Sequence, residues 1–131
     1  MIGIDTNVLL RLLLDDDPAQ GARLEAWLGG LPAAAGQVHV ADVVLTEASG
    51  TLASIYRQPK PELLKALRAL LAEPMFAFEH RAAVLAAVDA FEAAGCGFAD
   101  CLIVAKNRAM RCTGTVTFDH RMGRLAGVSL L

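Results

Sequence analysis

Short apolar runs set apart by longer helical segments constrain this chain more than any other feature. Met1–Ile4, Val38–Val40, Met75–Phe78 and Thr115–Phe118 have the length of strands, and Val128–Leu130 adds another near the end. The segments between them read as helices. Leu63, Leu64, Leu67, Leu70 and Leu71 form one apolar stripe at helical spacing, with Pro59 and Pro61 before it and Pro74 after it. Other helices are predicted from Asp5-Thr6-Asn7 to Leu14, from Pro18 to about Leu28, and from Asp42, read as a cap, to about Tyr56. Two more run from Arg81 to about Ala94 and from Phe98 to about Met110, and a short one precedes the last strand. Strands alternating with helices predict a three-layer α/β/α sandwich around a mainly parallel sheet of four to five strands. The two helices between the second and third strands break simple alternation. They suggest a helical projection usable for pairing with another chain.

At 131 residues, with 55% hydrophobic and 20% charged residues, the chain is expected to form one compact domain over 1–131. No run approaches the roughly 18 apolar residues of a membrane span. The start, MIGIDTN, lacks the features of a signal peptide, so a soluble cytoplasmic protein is expected. Cys96, Cys101 and Cys112 are odd in number and lack CxxC spacing, which argues against a disulfide framework or a zinc site. The net charge of −2 gives no global basic footprint for nucleic acid. Between Lys106 and Arg124, however, five cations surround a single acid, Asp119. That balance suits a phosphate-containing substrate, although charge alone is explained as well by a solvated surface.

Four acids carry the chemistry. Asp5 and Asp119 each follow a strand, so a parallel sheet would place both at its carboxyl edge, where ligands bind. Glu47 lies early in the helix after the second strand. Asp100 lies in the first turn of another helix, among Phe98, Ala99, Cys101 and Leu102, with no lysine or arginine nearby in sequence. A carboxylate held among apolar residues is costly unless something pairs with it. Converging carboxylates repel one another, and a hard divalent cation such as Mg²⁺ or Mn²⁺ offsets that repulsion. Such an ion would bind phosphate, activate water and support phosphodiester hydrolysis.

Four motifs around these acids resemble those of PIN domains. They are Ile4-Asp5-Thr6-Asn7; Ala41–Leu52 with Glu47; Phe98–Ile103 with Asp100; and Thr117-Phe118-Asp119 followed by Arg121 and Leu125. Their order and separation match over essentially the whole chain. The closest resemblance is to the VapC-type toxins, which implies a cytoplasmic, Mg²⁺- or Mn²⁺-dependent endoribonuclease. It implies inhibition by a cognate antitoxin protein and homodimer formation. The resemblance makes Asp5 and Asp100 the principal metal ligands, with Asp119 completing the site. Glu47 would bind a second metal or position the attacking water. Thr6 and Asn7 would hold the site's hydrogen bonds, and Thr117 would orient Asp119 or touch phosphate. Arg121 would contact phosphate. Two departures stand out: Cys96 lies between Gly95 and Gly97 in the lead-in to the third motif, and Cys101 follows Asp100 where alanine is common.

Other residues have plainer readings. Asp15–Asp17 reads as a solvated turn, the three histidines are scattered, and Trp27 and Tyr56 read as packing or interface residues. Cys101 could face either core or pocket. A haloacid-dehalogenase-like phosphohydrolase would want an acid where Asn7 stands. A non-catalytic RNA-binding or adaptor PIN module typically loses acids that this chain keeps. No GxGxxG follows the first strand, which excludes a Rossmann nucleotide site.

Overall fold

A computed structural model describes residues 1–131. The order of elements is β1 (Ile2–Gly3), α1 (Thr6–Leu13), α2 (Pro18–Gly29), β2 (Val38–Val40), α3 (Asp42–Ser54) and α4 (Lys60–Ala72). Then follow β3 (Phe76–Phe78), α5 (Arg81–Ala93), α6 (Phe98–Ala109), β4 (Thr115–Thr117), a 3₁₀ turn (Met122–Arg124) and β5 (Val128–Leu130). The fold is an α/β sandwich with six helices and parallel strands, as the alternation predicts.

The strands form two ladders. One has the order β1-β2-β3 and the other pairs β4 with β5, both parallel. The prediction of one sheet is therefore met in strand number and direction, but the sheet is divided. β1 and β4 belong to different ladders, so no shared hydrogen-bonded ladder joins the strand before Asp5 to the strand before Asp119. β1 is shorter than the apolar run that predicts it. Met1 and Ile2 are exposed and only Ile4 is buried. A two-residue strand offers few further ladder bonds on its open edge.

The core gathers around the first ladder. Val38 and Val40 of β2 are fully buried, as expected for a central strand covered on both faces. Helix α1 contributes Leu9 and Leu10, α3 contributes Val44, Leu45, Ala48 and Leu52, and α4 contributes Leu63, Leu67, Leu70 and Leu71. Helices α5 and α6 pack on each other through Val84, Val88, Phe91, Phe98, Cys101 and Leu102. Lys60, at the start of α4, caps the end of α5. Its ammonium donates to the carbonyls of Phe91 (3.0 Å) and Ala94 (2.5 Å) and lies over the Phe91 ring, a favourable place for a cation at a helix carboxyl end.

The second ladder is attached through α6. Asn107 donates to the buried Thr115 hydroxyl at 3.1 Å, and Arg108 donates to the Ala126 carbonyl at 3.2 Å. Between α6 and β4 the chain reverses at Arg111, whose φ is +63°. The Arg111 and Cys112 amides bond back to the Arg108 and Asn107 carbonyls, the pattern of a left-handed helix stop.

Candidate functional site

Asp5 is the N-cap of α1, with its Oδ1 accepting from the Val8 amide at 2.9 Å. The next residue, Thr6, donates its hydroxyl to Glu47 Oε2 at 2.9 Å. That bond ties the start of α1 to the second turn of α3, and these two helices pack against each other. Asp5, Thr6 and Glu47 thus form one group, with Asn7 exposed beside it.

Asp100 and Asp119 form another. Asp100 is the third residue of α6, in the turn that follows the Gly97 N-cap, whose amide acts to lower its carboxyl. Desolvation pushes its carboxyl up from the ordinary value, and the negative charge of Asp119 adds to the rise. Asp119 behaves oppositely. Its Oδ1 accepts from the Met122 amide at 2.9 Å, and this bond is the largest cause holding its carboxyl below the ordinary value. The Arg121 amide and the charges of Arg121 and His120 act in the same direction. The Thr117 hydroxyl accepts from the Asp119 amide at 3.0 Å, fixing the turn after β4.

The structure therefore brings the predicted residues together in two groups. No three His, Cys, Asp or Glu side chains lie close enough together to hold one metal ion. The donor chemistry nevertheless fits a hard divalent cation. Asp5, Glu47, Asp100 and Asp119 are in no salt bridge, a state they share with Asp15, Asp17, Glu25, Glu62 and Glu73, whereas Asp16, Asp42, Glu79, Asp89 and Glu92 are all paired. Four carboxylates without a lysine or arginine partner are a set that a divalent ion can serve.

Other expectations resolve differently. Asp42 is not a cap: Ala41 holds the cap position, and Asp42 pairs with Lys106 at 2.7 Å while its other oxygen is buried without a partner. Lys106 also reaches toward Glu79 at 3.9 Å. Lys106 lies far from both acids in sequence, so no local pattern signals the pairing. Cys101 faces the core, and its thiol is pushed up to about 12, by burial first and then by the neighbouring Cys96. Within the Asp15–Asp17 turn, Asp17 caps α2 and Asp16 binds Arg11 and Tyr56. His80 caps α5 through Nδ1, which accepts from the Ala83 amide.

An open groove of about 680 Å³ lies between β1, α1 and α2. Asp5 and Asn7 line one wall, and Gln20, Arg23, Leu24 and Trp27 line the other. The residues from α2 carry no motif and were not among the predicted site residues.

The PIN domain family matches residues 2–128. The chain belongs to the PIN-domain family. PIN domains are typically metal-dependent nucleases acting on nucleic acid, and the four candidate acids fall in this protein's matched region. No curated protein matches the chain. No helix of this PIN-domain protein is long and apolar enough to cross a membrane.

Proposed function

We propose that the protein is a Mg²⁺- or Mn²⁺-dependent endoribonuclease that hydrolyses RNA phosphodiester bonds. What carries the reading is that a PIN-domain chain has an acid in each of its four motifs, Asp5, Glu47, Asp100 and Asp119, none of them tied up in a salt bridge. Asp100 and Asp119 would hold the ion, with Asp5 joining them. When bound, the ion activates water and stabilises charge on the phosphate. Glu47, oriented by the Thr6 hydroxyl, would accept the proton of the attacking water or hold a second ion. Thr117 fixes the backbone that presents Asp119, and Arg121 would contact the phosphate.

The test is cleavage of single-stranded RNA. Activity is expected with Mg²⁺ or Mn²⁺ and is expected to disappear on chelation. Asp5→Asn and Asp100→Asn are each expected to fall to the metal-free background with an unchanged circular dichroism spectrum. Wild-type cleavage by either variant would reject this assignment of ligands.

The proposal extends to the toxin of a type II toxin–antitoxin pair in the cytoplasm, acting as a homodimer. The motif resemblance supports this extension. Growth arrest on expression, relieved by a small protein encoded beside it, is the expected outcome. A second reading, a non-catalytic PIN module that binds RNA, draws on the separation of the acids into two groups. RNA binding without cleavage at any divalent-ion concentration would favour it.

A further inference from the structure

None of the twelve residues of α2 is buried. Trp27 and Leu28 pack only partly against the core, so some of the apolar face of α2 is left open to the outside. Helix α2 is not polar all round, because Leu24 and Trp27 line the groove that separates it from β1. Gln20, Arg23 and Trp27 follow one another at intervals of three and four residues. They share one face of the helix and stand about one turn, roughly 5.4 Å, apart.

The two arginines of the groove differ. Arg11 is committed to Asp16 and the Tyr56 hydroxyl. Arg23 is exposed and in no ion pair. The open edge of β1 adds backbone groups. The Ile2 and Ile4 amides donate toward β2, to the Gln37 and His39 carbonyls. Side alternation along the strand then turns the peptide groups of Gly3 toward the groove. A Cβ built on Gly3 meets nothing within 4 Å, so the face of the strand at Gly3 is also open.

We propose that this groove carries a single strand of RNA to the Asp5 end, with Trp27 stacking on a base and Arg23 contacting a phosphate. An aromatic ring in series with a free guanidinium and an amide is the composition that holds single-stranded nucleic acid. A duplex offers no free base face to Trp27. A docked protein helix would want a continuous apolar seam, and Arg23, Gln20 and Asp5 interrupt one. Asp5 repels phosphate unless a cation accompanies it, so contact at that end depends on the metal, while stacking on Trp27 does not. The substrate path rests on the nuclease reading, but the binding event does not.

Trp27 is the only tryptophan in the chain, so its fluorescence reports this groove alone. The probe is a short single-stranded RNA added to the full chain in chelator, where no cleavage occurs. Quenching of the emission is expected, and the same RNA annealed to its complement is expected to quench much less. Arg23→Glu, on an exposed position, is expected to bind about tenfold more weakly, and Arg23→Ala to lower the salt dependence of binding by about one ion. Trp27→Leu is expected to raise the KM for cleavage about tenfold with kcat little changed, the size expected for losing one stacked base. Emission unchanged by RNA, or wild-type binding by both Arg23 variants, overturns the proposal. Cleavage without quenching rejects the groove and leaves the nuclease reading standing. Quenching without cleavage does the reverse.

Discussion

The two β ladders differ in what covers them. In the first, Val38 and Val40 are 0% exposed, shielded by helices on both faces. In the second, Val116 is 65% and Phe118 80% exposed, and Leu130 also faces solvent. The first ladder carries the core, while the second carries Thr117, Asp119 and Arg121 on a small unit tied to α6 by the bonds from Asn107 and Arg108 and by Leu125, which packs against the core. The groups proposed to meet a substrate and an ion would thus sit where opening is least costly. Ligand-binding segments are commonly drawn from this low-stability end of a fold.

Substitutions can break or sharpen that contrast. Leu45, 1% exposed in α3, belongs to the core around the first ladder. Leu45→Ala is expected to lower unfolding free energy by about 2–5 kcal/mol, measured by denaturant titration. A smaller loss would mean that this core collapses around the gap.

Asp100→Asn is expected to act in the opposite direction. The carboxyl of Asp100 is pushed up by desolvation first and by Asp119 second. The folded chain therefore binds that proton more tightly than the unfolded chain. The stabilising contribution is complete below the ordinary Asp range and is lost as pH rises through the raised value. At neutral pH in chelator the ionised group is a cost, so Asp100→Asn is expected to raise Tm. The difference from wild type should vanish on acidification. A lowered Tm at neutral pH would show that the favourable pull of the Gly97 amide outweighs the desolvation.

The smallest effect is expected at the second ladder. Phe118→Ser is expected to change stability by less than about 0.5 kcal/mol, as for an exposed residue outside the core. A loss above about 1 kcal/mol would mean that Phe118 is covered in solution and that the two ladders are less different than they look here.

Much of the fold was legible in the chain because it is local. The run Val38–Val40 has the bounds of β2, and the leucine stripe from Leu63 to Leu71 has the face that α4 buries. Proline and glycine mark most ends. The break between ladders was not legible, since strand pairing between β1 and β4 depends on residues more than a hundred positions apart. The same limit applies to the site. The acids could be singled out one by one from their positions after strands and in first turns. Which of them meet could not, because the Thr6–Glu47 bond and the Asp100–Asp119 interaction are tertiary. Asp42 was read as a cap because an acid opening a helix is usually one. Its distant partner Lys106 decided otherwise.

Apart from Trp27 and Leu28, which pack partly on the core, helix α2 is only lightly bound by folding. Its exposed side chains can be exchanged with little penalty in stability. If the groove carries substrate as proposed, rewriting that one wall would shift target preference and leave the chemistry alone.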